Sequence, residues 1–151
     1  MTRILFICHG NICRSPMAEF IMKHLVKQQH REDEFVIDSA AVSTEEIGNS
    51  IYPPAKRILN KYGIPFSDHR ARQVRRSDYD QYDLLICMDQ SNLRWLARLI
   101  PNGDPQQKVC LMMEFTGVYR DVADPWYTDN FEATYNDLTK IKYKSKEEVQ
   151  L

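Results

Sequence analysis

Residues 8–16 read CHGNICRSP, directly after the apolar run ILFI at residues 4–7 and directly before the amphipathic stretch MAEFIMKHL at residues 17–25. A strand that passes into a helix through a short polar loop turns backbone N–H groups inward, and the helix dipole adds partial positive charge. Such a loop is an anion cradle. Gly10 permits backbone conformations closed to other residues, and the planar fork of Arg14 can bind two phosphate oxygens. The same donors stabilise a thiolate at Cys8. Ser15 can donate its hydroxyl to that sulfur, and Asn11 can brace the loop through its side-chain amide. A thiolate inside a phosphate cradle points to in-line attack on phosphorus. The Cys-to-Arg spacing is common by chance; its weight comes from the buried strand before it, the helix after it, and Gly10, Asn11, Ser15 and Pro16 between.

Working outward, the runs RILFIC (3–8), FVIDSA (35–40), DLLICM (83–88) and KVCLMM (108–113) are rich in aliphatic residues without strict alternation, the pattern of strands buried on both faces of a parallel sheet. Amphipathic segments separate most of them. Met17, Phe20, Ile21 and Leu25 share a helical face, as do Ala55, Ile58, Leu59 and Tyr62 after the initiating PPA, then Leu93, Leu96, Ala97 and Ile100, and finally Phe131, Tyr135, Leu138 and Ile141. The expected fold is therefore α/β: a single-domain three-layer sandwich spanning residues 1–151, with a four-stranded parallel sheet, helices on both faces and a phosphate-binding loop after strand 1. Ligands of such sheets sit beyond the carboxyl ends of the strands. The long loop EFTGVYRDVADPWYTDN (114–130) is of a length that usually carries function.

A chain of 151 residues with 43% apolar and 27% charged residues buries a core and is neither disordered nor a coiled coil. The net charge of −1 argues against general nucleic-acid binding. No run reaches membrane-spanning length, and RILFIC is too short and too early for a secretory signal. The expected location is the cytoplasm, with reduced thiols, although release without a recognisable signal stays open. A monomer is expected, with no nucleic acid or membrane as partner.

CHGNICRSPMAE resembles the signature of the low-molecular-weight protein tyrosine phosphatases, Cys-x-Gly-Asn-x-Cys-Arg-Ser-Pro. The similarity extends through IDSAAVST, DHRARQ, YDLLICMD and DPWYTDNFEATY. It implies that Cys8 is a nucleophile forming a cysteinyl-phosphate, Arg14 the phosphate clamp, Ser15 the thiolate's partner and Asn11 an organiser. Residues His9 to Ser15, including Ile12 and Cys13, then form the phosphate-binding loop, with Ser39 and His69 supporting Asn11. It also implies a reversible Cys8–Cys13 disulfide as a redox switch.

Cleaving an aryl phosphate calls for an acid to protonate the leaving phenol. Position alone offers Asp89, Asp121 and Asp124, and spacing does not choose among them. The resemblance selects Asp124 in DPWY, leaving Asp89 as a helix N-cap or sheet-edge contact. Trp126 and Tyr127 would wall a cleft deep enough for a phenyl ring. Cys87 and Cys110 read as core. His9 and the cysteines lack further ligands, so no metal is expected, and no organic cofactor. Arg72, Arg75 and Arg76, and the lysines of KIKYKSK (140–146), read as solvated charge.

The implied activity is hydrolysis of phosphotyrosine and small aryl phosphates, with phosphate and other oxyanions as ligands. The same fold offers arsenate reductase, which needs relay cysteines, and protein-arginine phosphatase, whose members carry threonine in place of Ile12. A phosphate- or phosphopeptide-binding module without turnover would need neither Cys8 nor Asp124.

Overall fold

The computed structural model describes residues 1–117 and 120–140. Strand β1 (Thr2–Cys8) pairs in parallel with β2 (Phe35–Ala41) on one side and β3 (Leu84–Cys87) on the other, and β4 (Val109–Leu111) completes the sheet on β3. The order is β2-β1-β3-β4. Ile4, Leu5, Phe6 and Ile7 are all fully buried because both faces of β1 are covered. Ile4 and Phe6 face helices α1 (Arg14–Gln28), α2 (Pro53–Lys61) and the last helix, Phe131–Thr139, whereas Leu5 and Ile7 pack with Tyr79 and Leu96 on the opposite side. That two-sided burial is why the strand sequences lack alternation. The expected α/β three-layer sandwich with a four-stranded parallel sheet is what the chain forms.

Several element ends differ from the sequence reading. The run KVCLMM gives a three-residue strand, and Met112 and Met113 lie in a buried 3-10 turn, Met112–Thr116. The third amphipathic segment is a helix only over Gln90–Leu96; Ile100 stays buried in the turn beyond it, because a residue before proline is pushed out of helical geometry. Tyr62 falls just past α2, where Gly63 at φ 68° reverses the chain. It is 40% exposed and stacks on Tyr135 at 4.1 Å instead of entering the core. Ile141 and the lysines of KIKYKSK other than Lys140 lie outside the described residues.

The basic cluster also needs correcting. Arg75 and Arg76 are exposed. Arg72 instead grips Asp78, which is 2% exposed, through two hydrogen bonds of 2.9 and 3.2 Å, and the Arg75 N–H adds a third at 2.7 Å. Asp78 opens α3 (Asp78–Gln81) and, with it, fixes the segment that runs beside the end of β2. Removing a carboxylate that satisfies several donors leaves them unpaired. Asp78→Ala is expected to lower the free energy of unfolding by about 2–3 kcal/mol, read from urea denaturation; an unchanged midpoint would show the pair to be inert.

Candidate active site

β1 is flanked by β2 and β3, so the connections leaving the carboxyl ends of β1 and β3 diverge and open a crevice between them. The loop 9–13 fills its floor. Asn11, at φ 59°, is the loop's left-handed residue. Gly10 is not, contrary to the sequence expectation; its role is space, since a Cβ there would lie 3.3 Å from the Cγ of Glu46. Asparagine tolerates the left-handed region because its side chain bonds locally. Among the described residues the N–H groups of Ile12, Cys13, Arg14 and Ser15, all buried, have no protein acceptor. Buried donors of this kind call for an anionic partner.

A directed set of hydrogen bonds surrounds Cys8. Its Sγ lies 3.0 Å from the Ser15 hydroxyl and accepts from the Asn11 N–H at 3.3 Å. Asn11 is fully buried, and its side-chain amide donates to Ser15 Oγ at 2.8 Å and to Ser39 Oγ at 3.0 Å, while its Oδ1 accepts from the Arg72 N–H at 3.2 Å. Ser39 in turn donates to Glu19 Oε1 at 2.6 Å. Because Asn11 Nδ2 can only donate, the proton of Ser15 is left for the sulfur. The Asn11 carbonyl accepts from His69 Nε2 at 3.0 Å, which fixes that nitrogen as the protonated one and leaves Nδ1 4.0 Å from Glu19. Ser39 and His69 are thus brought to Asn11 as expected. Glu19, which anchors the set, went unread in the sequence; its one signal is an acidic residue four places after Ser15, on a helical face otherwise apolar.

Arg14 is 2% exposed. Its Nη1 donates to Asp89 Oδ2 at 2.7 Å and to the Val122 carbonyl at 2.9 Å, and its Nη2 approaches Asp124 Oδ2 at 3.4 Å. Both Nη1 protons are spent, so the edge formed by Nε–H and the remaining Nη2–H is left to grip two oxygens. Asp89 does two things: Oδ1 caps helix α4 (Gln90–Leu96) through the Asn92 N–H at 2.7 Å, and Oδ2 holds the guanidinium. The cap reading was right; the grip on Arg14 was not foreseen. Asp121 accepts from the Gln90 N–H at 3.0 Å and does not line the cleft. Asp124 does, and caps the short helix α5 (Pro125–Thr128) through the Trp126 N–H at 3.0 Å.

Cys8, Cys13, Arg14, Asp124, Trp126 and Tyr127 border one open cleft, together with His9, Gly10 and Ile12. Tyr127 is 84% exposed and Trp126 54%, which excludes core packing for both; Trp126 leans on Tyr52 at 5.0 Å. Glu45 and Glu46, from the loop after β2, complete the lining; they belong to TEEIGNSIY (44–52), a loop expected from the sequence to shape peptide preference, although no individual residue in it could be read. Among the described residues no group of three or more His, Cys, Asp or Glu is placed to hold a metal ion.

The sequence model of the family described as low molecular weight phosphotyrosine protein phosphatase matches residues 3–150. The chain belongs to that family. It is 39% identical over 144 residues to the low molecular weight phosphotyrosine protein phosphatase of Sus scrofa, covering 91% of this chain and 89% of the relative. The crystal structure of YfkJ from Bacillus subtilis superposes with a TM-score of 0.88 at 34% identity, covering 93% of this chain and 89% of that one. A Drosophila arginine phosphatase also superposes, with a TM-score of 0.80 at 31% identity over 91% and 90% of the two chains.

The four thiols of this phosphatase are free and sit in different surroundings. Burial and the neighbouring Cys8 sulfur push Cys13 far up, burial holds Cys87 well above the ordinary range, and burial with Glu114 raises Cys110 to about 12. None of these three is a thiolate at neutral pH, whereas Cys8 has donors directed at its sulfur. Iodoacetate at pH 7 is therefore expected to carboxymethylate Cys8 first, with inorganic phosphate protecting it, and Ser15→Ala should slow that labelling about tenfold. Peptide mass mapping reads the site; initial labelling at any other cysteine would contradict the geometry.

Proposed function

We propose that the cleft hydrolyses phosphotyrosine in proteins and peptides by way of a phosphocysteine at Cys8. The observation that carries this reading is the convergence on one sulfur of the Ser15 hydroxyl, the Asn11 N–H and a cradle of unpartnered N–H groups, with the open edge of Arg14 on the same floor. Protein tyrosine phosphatase activity is that of the family to which the chain belongs.

In the first step the Cys8 thiolate attacks phosphorus as the bond from phosphorus to the phenolic oxygen breaks. Protonated Asp124 hands its proton to that oxygen, so tyrosine leaves neutral. The Arg14 fork and the loop N–H groups bind the equatorial oxygens, where charge accumulates. In the second step the Asp124 carboxylate takes a proton from water, whose oxygen attacks phosphorus. The sulfur–phosphorus bond breaks and the thiolate returns, its charge accepted by Ser15 and Asn11. The chain's own groups complete both steps. Trp126 and Tyr127 give the cleft the height of a phenyl ring, which lets phosphotyrosine reach Cys8 and leaves shorter phosphoserine above it. No helix among the described residues is long and apolar enough to cross a membrane.

The two other chemistries of this fold fit less well. A relay of thiols from Cys8 through Cys87 to Cys110 is not laid out: Cys8 and Cys110 pack with the core on the α1 side of the sheet and Cys87 with the core on the other. Phosphoarginine would meet the apolar Ile12 and an aromatic wall.

Cys8→Ser is expected to abolish turnover of p-nitrophenyl phosphate and phosphotyrosine peptides. Asp124→Asn should slow hydrolysis about 10²–10⁴-fold for esters with poor leaving groups and much less for good ones. An equal loss across the ester series would assign the proton to another group, and activity in Cys8→Ser would overturn the nucleophile.

Cys13 borders the same cleft as Cys8, which supports it as a redox partner. One hydrogen peroxide oxidises the two thiols to a disulfide and is reduced to two waters, sparing Cys8 from irreversible oxidation. Peroxide inactivation should be reversed by dithiothreitol in the native enzyme and largely lost to recovery in Cys13→Ser. Equal recovery in both would remove Cys13 from that role.

A further inference from the structure

We infer that Glu45 and Glu46 make the cleft select phosphotyrosines flanked by lysine or arginine. The inference rests on the phosphatase reading above and names the substrate class of the same site. The floor of the cleft calls for a dianion: Arg14 is 2% exposed, and its Nε edge has no protein partner among the described residues. Two carboxylates nevertheless border the mouth of that cleft. Carboxylates beside a dianion repel it, and a substrate with positive charge on its flanks offsets that repulsion.

Both side chains are held in place. The loop that carries them is tied to the cradle by the Ser43 N–H and hydroxyl, which donate to the His9 carbonyl at 3.1 and 2.9 Å, and farther along the Gly48 N–H donates to the Ala71 carbonyl at 2.9 Å. Glu45 Oε2 meets His9 Nε2 at 3.0 Å, and the His9 ring is backed edge-on by Trp95 at 5.5 Å. Glu46 lies over Gly10, in space a side chain there would crowd. Its carboxylate accepts from the Asn49 amide at 2.6 Å and has no cationic partner among the described residues. An anchored carboxylate without a counter-ion, at the entrance to a binding cleft, is a ready seat for a substrate cation. Neighbouring residues of an extended peptide are about 3.5 Å apart per position, within reach of a lysine or arginine arm whose phosphotyrosine ring stands in the cleft. Acidic flanks would place like charges together, which is how rim charges discriminate between partners.

The test uses one phosphotyrosine heptapeptide made with Lys, Gln or Glu on both sides of the phosphorylated residue, with p-nitrophenyl phosphate as a flank-free reference. At low ionic strength kcat/KM should rank Lys above Gln above Glu, with about tenfold between the extremes. The difference should lie mainly in KM. In about 1 M salt, where the screening length falls to about 3 Å, the spread should largely disappear. The Glu45→Gln/Glu46→Gln protein should treat the three peptides within about twofold of one another, and Glu45→Lys/Glu46→Lys should reverse the ranking. Equal kcat/KM for the three peptides with wild-type enzyme overturns the inference, as does a spread that survives charge removal or salt. Failure of wild-type enzyme to hydrolyse any peptide or the reference ester would instead sink the phosphatase reading itself.

Discussion

A buried cation must be paired, and Arg14 is the most consequential buried cation of the described structure. Its guanidinium sits at the first turn of α1 with almost no solvent contact. Leaving such a charge unpaired would cost several kcal/mol, so the fold delivers partners from far along the chain: Asp89 after β3, and Val122 and Asp124 before α5. These contacts use one side of the fork and leave the other for ligand. The requirement to neutralise Arg14 thereby brings the acid candidate to the nucleophile candidate. The stretch before α5 is held independently, since the Val122 N–H donates to the Met88 carbonyl at 2.9 Å and Arg120 grips Asp137 through two bonds of 2.9 and 2.6 Å.

The second constraint is polarity along a line of hydrogen bonds. Glu19 accepts from Ser39, Ser39 from Asn11, and Asn11 also donates to Ser15, so every proton in the set has one place to go. The end of the line is a hydroxyl committed to donating to Cys8. A network with its directions fixed in advance needs no reorganisation when the sulfur regains its charge as the phosphocysteine is hydrolysed, which is the sense in which preorganised dipoles lower barriers. The left-handed turn at Asn11 is the local strain this arrangement requires, and the buried bonds to its amide and carbonyl hold it there.

The strands and the cradle were legible in the sequence because both are local: runs of aliphatic residues specify a two-sided sheet, and the loop's donors come from consecutive residues. Cys8, Arg14, Ser15 and Asn11 could be read together for that reason. Asp124 could not be separated from Asp89 and Asp121 by spacing, because their difference lies in which helix terminus each one faces after folding. Glu19, Asp78 and the paired state of Arg72 escaped notice because a charged residue on a helix or in a loop reads as solvated until its neighbours are known. Tyr62 fooled the periodicity argument at a helix end, where the 3.6-residue rule stops applying and Gly63 turns the chain. Glu45 and Glu46 carried no motif; their loop, TEEIGNSIY (44–52), could be read as one that shapes peptide preference, but which of its residues border the cleft only the fold shows.

Charge counting within the cleft explains why recognition and chemistry can be separated. Even with Asp124 protonated, as the first step requires, the formal charges of ionised Cys8, Arg14 and Asp89 sum to a negative value before the substrate arrives. Net positive charge therefore cannot be what holds a phosphate dianion here. What remains is directional: buried N–H groups without acceptors, the N-terminal end of α1 and one open guanidinium edge. Such donors act over contact distances and favour an anion whose oxygens fit them, whereas carboxylates on the rim act on whatever charge lies beside the ring. Glu45 and Glu46 can tune which phosphotyrosines enter without altering the donors that bind the transferring group, because the two sets of residues read different parts of the substrate.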